Sequence, residues 1–546
     1  MKWFIKKTIL VVIAAVVLVG CSNDATSGES ATTDDGRVKI NVFAPQGAET
    51  NFEDNKFSKV IEDKFNIDFT WQTTTLDAGA ASEKRQISLA SGDYPDLFLM
   101  IPWVDQFSQS ELLKYGQQGI FLPLNDLIKE HAPNIQKAFD QEPDLKAMAT
   151  APDGNIYGMP QWNDCYHCSY PEKLWINTTW LDTLGLEMPT TTEEMKDVLL
   201  AFKNEDPNGN GKPDEIPMSG RVDDSPIPFL MNSFEYYHSS EIPLLLEDGN
   251  VSFAATTEGW REGVRYAAEL FELGLIDPGT FTQNADALLQ IGNNGGDVIL
   301  GVGPGTHPGT FTTDEERLNS DKYQAIPPLE GQKNLTTYQF PSMPGATFVL
   351  TNKASEEAQI AAIKALDYMF TVEGSLNAQF GVKGVGWRDP QEGEVALNSD
   401  VDPIYRKLPE NREEEEREEN ISWGANGQYW HFRGLRDAEV SSTEIYTTAG
   451  FERRLQEATL LYEGHEPPEE NMYPYWKVWI DQEEAGEVAM LITNLNGYIE
   501  QNMVQFITGA KDIETEWEEY VSGFDGLNGS RYLEIMQKSY DALETK

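Results

Sequence analysis

The sequence predicts an α/β fold in which parallel sheets are covered by helices. Three observations predict it. Strand-like and helix-like patterns alternate between residues 38 and 100, they alternate again between 191 and 370, and the C-terminal third is helix-rich. The chain has 546 residues, of which 40% are hydrophobic and 13 are Trp, so more than one substantial core can be built.

The elements follow in order. Val38, Ile40 and Val42 alternate with Lys39, Asn41 and Phe43, a strand pattern. Phe57, Val60, Ile61 and Phe65 fall at helical spacing, and Ile67, Phe69 and Trp71 alternate as a second strand. Residues 82–90 read as a helix and 95–100 (PDLFLM) as a buried strand. Further on, 191–202 reads as a helix opened by a capping box of Thr191 and Glu194. Residues 260–273 form a helix that Gly274 stops. Strands are expected at 297–302 and 346–351, then a helix over 355–370 with Ile363, Leu366 and Phe370 on one face. An amphipathic stretch begins again at Trp517. The acidic run at 410–420 reads as a solvated helix or loop and is assigned no chemistry.

Charge narrows the function. Asp and Glu number 90 against 41 Lys and Arg, a formal charge of −49. A nucleic-acid binder needs a broad basic surface, and anionic membrane surfaces repel such a chain. Three cysteines cannot make a disulfide scaffold, and six histidines offer little for a histidine-rich metal site. The sequence contains no GxSxG, HExxH or GxxxxGK[ST], and no convincing GxGxxG. Pro304 spoils the glycine-rich string 301–305 as a phosphate cradle by removing an amide. A glycosidase needs only two carboxylates, and spacing alone neither finds nor excludes such a pair. No catalytic residue is assigned.

The N-terminus sets the expected compartment. Lys2, Lys6 and Lys7 precede an uncharged stretch at 8–20, too short for the ~20 residues of a membrane-spanning helix. It reads as a secretory signal over residues 1–20. The string Leu18-Val19-Gly20-Cys21 resembles a bacterial lipobox, which implies cleavage before Cys21 and lipid attachment there, diacylglycerol with palmitate among its acyl chains. Removal of the signal takes away three lysines and no acid, so the formal charge falls to −52. Residues 21–37 are expected to be a flexible tether.

The most specific local signal is 206–215. Asp206, Asn208, Asn210 and Asp214 place oxygen side chains at relative positions 1, 3, 5 and 9, with Gly211 at 6. That spacing matches the first nine positions of an EF-hand calcium loop, in which a sharp turn brings alternate oxygens around a hard cation. Lys212 offers its carbonyl at position 7, and Glu215 substitutes for the usual Glu at position 12, which is Pro217 here. The ion would be structural Ca2+, because a saturated shell leaves no open position. A polar loop without metal is the alternative. Cys165 and Cys168 form a single CxxC: a local disulfide is the economical reading outside the membrane, beside free thiols or a metal or redox role.

Several strings together carry a family resemblance. They are 91–96 (SGDYPD), 156–160 (IYGMP), 173–177 (KLWIN) with 180–186 (WLDTLGL), 189–194 (PTTTEE), 201–217 (AFKNEDPNGNGKPDEIP), 384–387 (GVGW) and 506–509 (FITG). The chain resembles the family 1 extracellular solute-binding proteins of ABC importers, and within them the calcium-containing lipoprotein branch that includes the alginate-binding proteins. The resemblance implies a type II periplasmic-binding-protein fold: two α/β lobes, a ligand cleft between them, and a hinge crossed three times, near 162–166, 335–345 and 383–388. It places residues 38–162 with 340–385 in lobe 1, and 163–339 with 386–546 in lobe 2. It also implies calcium at Asp206, Asn208, Asn210, Lys212, Asp214 and Glu215.

The resemblance implies a lipid-anchored protein on the outer face of the cell membrane that captures an oligosaccharide or sugar derivative. It would deliver the sugar to permease subunits of an ABC transporter, as a monomer and without altering any bond. A surface sensor or adhesin, or a secreted carbohydrate-active enzyme, is the alternative. Sugars present apolar faces ringed by hydroxyls, which aromatic platforms and polar side chains suit. Candidate ligand contacts are Trp103, Trp162, Trp387, Trp423 and Trp430, with Asp223, Asp224 and Arg433 as polar partners. Trp175 and Trp180 are expected in the core.

Overall fold

The computed structural model describes residues 31–239, 241–409 and 418–544. The strands among them are Val38–Pro45 (β1), Ile67–Thr74 (β2), Leu97–Leu99 (β3), Leu174–Asn177 (β4), Ile216–Met218 (β5), Leu244–Glu247 (β6), Asn250–Phe253 (β7), Leu300–Pro304 (β8), Tyr323–Ala325 (β9), Phe348–Leu350 (β10), Trp387–Arg388 (β11) and Arg406–Lys407 (β12). One sheet has the order β10-β3-β1-β2, with β1 parallel to both β2 and β3 and β10 antiparallel to β3. The other has the order β5-β8-β4-β9, in which β5 and β8 are parallel and β4 runs against both its neighbours.

Local chemistry explains where the helices begin. The Asn55 side chain accepts from the N–H groups of Phe57 and Ser58 at the start of Lys56–Phe65, and Asp77 caps Ala78–Ser91. The capping box of Thr191 and Glu194 opens Thr192–Asn204 as predicted. Glu258–Glu272 ends just before Gly274, whose φ of +66° suits glycine.

Each sheet has its own core. Around the first lie Ile40, Val42, Phe57, Leu99, Phe348 and Leu366, while Phe43 turns to the opposite face with Phe98 and Phe107. Around the second lie Trp175, Trp180, Phe202, Met218, Trp260 and Val302. The helix Gln482–Ile507 adds Val488, Leu491, Leu495 and Ile499 to this second core at helical spacing, and Ile513–Gly526 and Gly529–Glu544 pack beside it. The fold is therefore two α/β lobes with a helical C-terminal part.

Three segments cross between the lobes side by side. Asn163 donates its N–H to Pro341 (3.0 Å), Asp164 donates to His431 (2.8 Å), and His431 donates back to Trp162 (2.8 Å). The first two of these segments run through Trp162 to Asp164 and through Pro341. The third lies around His431, not at 383–388. There the chain forms β11 instead, which pairs with β12, and Trp387 packs with Leu376, Tyr405 and Leu435. The lobe boundary at 385 shifts for the same reason: Trp423, Tyr429 and Trp430 belong to the first core.

Two further departures concern the termini. Residues 31–37, read as tether, instead fold onto lobe 1: Thr33 Oγ1 accepts from the Arg37 N–H (2.9 Å), and the Arg37 guanidinium reaches Asp63 (2.7 Å). The signal, Cys21 and the rest of the tether lie outside the described residues, as does 410–417 of the acidic run. After the third crossing, Trp476 stacks on Phe340 (centroids 4.6 Å apart, planes within 7°), and Trp479 enters a lobe 1 cluster. The C-terminal part thus touches both lobes.

A candidate ligand groove at the hinge

In open α/β sheets ligands gather outside the carboxyl ends of the strands, where the strand order reverses. In the first sheet that point lies between β1 and β3. The chain leaving β3 turns at Pro102 and Trp103, and Trp103 is 58% exposed although it is a large ring. It borders a groove of about 140 Å3 together with Gln161, Asn163, Phe340, Met343 and Gln428. Every one of these except Trp103 sits on or next to a crossing segment, so the groove is floored by the hinge.

The floor is held from both sides. Gln161 Nε2 donates to the Ala425 carbonyl (2.8 Å), and Ser342 Oγ donates to the Gln161 carbonyl (2.6 Å). Asn163 Oδ1 is buried without a hydrogen-bond partner among the described residues. A buried acceptor of this kind is costly unless something supplies a donor. A groove that offers an exposed indole and an unpartnered amide oxygen suits a sugar.

The sulfurs of Cys165 and Cys168 are bonded to each other in the structure, and both residues border the groove. Between them His167 lies 3.6 Å from Glu452, and burial keeps its imidazole neutral far below the usual range. Lys173 underpins this turn. Its Nζ donates to the His167 carbonyl (2.9 Å) and to that of Tyr170, and burial pushes its pKa down to about 7.

The other proposed contacts are dispersed. Trp162 is buried edge-on against Phe340 (5.4 Å), a layer beneath the groove. Trp387 is buried and donates its indole N–H to Asn377 (2.8 Å), and Trp423 is buried and donates to Ser58 (2.9 Å). Trp430 stacks on Phe370 inside the first core. These four rings lie in cores, and two of them have their polar atom satisfied by the protein. Arg433 pairs with Asp164 (3.0 Å) and covers Tyr166, tying the third crossing to the first. Asp224 pairs with Arg221 (2.9 Å), and Asp223 is exposed on the loop after β5. Gln161 and Asn163, which flank the buried Trp162 and border the groove, were not among the predicted contacts.

The loop at 206–215 lies at the other end of β5. Gly209 and Gly211 take φ of +70° and +75°, and Gly211 donates its N–H to Asp206 Oδ2 (3.0 Å). Asn208 and Asn210 both donate to Asp214 Oδ1 (3.1 Å each). Asp206 Oδ1 and Glu215 Oε1 are buried without hydrogen-bond partners among the described residues. Burial raises the Glu215 pKa, and the neighbouring Asp206 and Asp214 charges add to the rise. Orphaned, mutually repelling carboxylates fit a divalent cation held by oxygens.

Comparison with known proteins agrees with this architecture. The profile of bacterial extracellular solute-binding proteins matches residues 53–375. The fructooligosaccharide ABC transporter substrate-binding protein FusA of Streptococcus pneumoniae is 28% identical, over 99% of this chain and 98% of its own. An extracellular solute-binding protein from Bifidobacterium longum subsp. infantis superimposes with a TM-score of 0.77 at 23% identity, covering 94% of this chain and 99% of that one. The alginate-binding protein AlgQ2, solved without calcium ion, superimposes with a TM-score of 0.65 at 21% identity, covering 94% and 100%. Two lobes, a groove floored by three crossings and a profile match over most of the chain lead to one conclusion: the chain belongs to the bacterial extracellular solute-binding proteins.

Proposed function

We propose that this protein captures an oligosaccharide in the interlobe groove and passes it to the permease of an ABC importer. The observation that carries this reading is a single groove at the hinge lined by the exposed Trp103 and by Asn163, whose side-chain oxygen has no hydrogen-bond partner among the described residues. Ligand contacts that exist only with the lobes closed would supply the closing energy. No bond in the sugar changes. The similarity to FusA makes fructooligosaccharides the first class to test.

The remaining parts serve this task. Cys21 carries the lipid that holds the protein on the outer face of the membrane, and among the described residues no helix is long and apolar enough to span it. Ca2+ at Asp206, Asn208, Asn210, Lys212, Asp214 and Glu215 is structural and staples the entry into β5. The protein acts as a monomer. Calorimetric titration of the purified protein with neutral and acidic oligosaccharides tests the reading. Saturable binding that leaves the sugar chemically intact is expected; no binding across the panel, or turnover of a bound sugar, would end it.

A further inference from the structure

The hinge groove alone cannot enclose the whole of the oligosaccharide just proposed. Sites that enclose a drug-sized molecule occupy about 300–1,000 Å3, and the hinge groove offers about 140 Å3. A second groove of about 850 Å3 lies where β12 and residues 439–442 face the 313–319 and 447–452 segments of lobe 2. One short turn of chain touches both. His167, between the two cysteines that border the hinge groove, lies 3.6 Å from Glu452, which borders the second.

The lining of the second groove suits a neutral sugar chain. Ser441, Ser442 and Thr447 supply hydroxyls, Asn319 supplies an amide, and Phe451 supplies a ring. Ser441 is only 5% exposed, and its Oγ has no hydrogen-bond partner among the described residues. A buried hydroxyl in that state needs a ligand or water partner. The charged lining residues are four acids (Glu315, Glu439, Glu444, Glu452) against Arg406 and Lys407, and Lys407 is paired with Glu439 at 2.7 Å. That balance repels polyanions.

We propose that the second groove continues the hinge groove and receives the distal units of a neutral oligosaccharide, so that the protein prefers longer chains and rejects uronic-acid chains. This rests on the carbohydrate reading above. Calorimetry of the purified protein tests it with two neutral series, inulin-type fructo-oligosaccharides and malto-oligosaccharides from three to eight units, and with oligogalacturonates of matched length. In the series that binds, affinity should rise at least tenfold between the trimer and the hexamer. Ser441→Ala and Asn319→Ala should each remove about three- to tenfold of the hexamer's affinity and leave the trimer's unchanged. Equal binding of trimer and hexamer, with both variants silent, would overturn the second groove while leaving the carbohydrate reading in place. Tighter binding of oligogalacturonate would overturn the neutral class. Failure of every member, trimers included, would count against the carbohydrate reading itself.

Discussion

Trp103→Ala removes the ring that defines the hinge groove. Full burial of an indole takes about 150–250 Å2 out of water. Trp103 is already 42% covered, being 58% exposed. A sugar face that covers half of the open remainder therefore buries about 40–70 Å2. At about 25 cal/mol per Å2 this contributes about 1–2 kcal/mol, a loss of about six- to twentyfold in affinity on truncation. The ring holds no place in the hydrophobic clusters, so the melting temperature of the free protein should stay within a degree or two. Trp103→Phe should keep most of the affinity. Calorimetry with the tightest-binding oligosaccharide, alongside thermal melts of the free variants, gives both readings. An unchanged Kd in Trp103→Ala, with an unchanged melt, would refute the assignment of this groove to the ligand.

Three other outcomes follow from the same geometry. Ca2+ at a hundredfold excess over its Kd should stabilise the protein by about 2.7 kcal/mol. Asp206→Ala should abolish the calcium-dependent rise in melting temperature, and a rise that persists in this variant would remove the ion from 206–215. Trp423→Ala should cost about 3–5 kcal/mol in denaturant unfolding through the cavity left beside Phe57, while the folded fraction keeps its sugar affinity; a selective loss of affinity would return that ring to the site. Lys173 should tie stability to pH. Its folded pKa of about 7 lies below the ordinary 10.5, so between those values the unfolded chain binds the extra proton. Stability from this group therefore rises with pH from about 7 to 10 and is at its lowest below 7, a swing of a few kcal/mol. Unfolding curves of Lys173→Met should lack that rise, and an identical pH profile would refute it.

The sequence made the skeleton legible where side chains repeat at regular intervals. Ile40 and Val42, the capping box at Thr191, and Ile363 with Leu366 each specify a local element whose burial follows from its period. The turn at 206–215 was legible because a short loop brings its own oxygen side chains together. The hinge groove was not, because its walls come from segments separated by hundreds of residues. Gln428 reaches Trp103 only through the pairing of the third crossing with the first. An isolated Trp gives no hint whether its N–H meets Ser58 or a sugar. The resemblance placed a crossing at 383–388, whereas Trp387–Arg388 is a strand there because its partner, Arg406–Lys407, lies about twenty residues on and is invisible in the local sequence.

The contact between Trp476 and Phe340 has a mechanical meaning. Phe340 lies on the second crossing, and Trp476 leads into the long C-terminal helix anchored on lobe 2. Both rings pack against the first core, whereas the helix that follows packs on the second, so the short link between Trp479 and Gln482 would take up any change in the angle between the lobes. Such a link would serve as a check strap on the range of opening, and the Trp476 indole beside it would offer an optical gauge of closure.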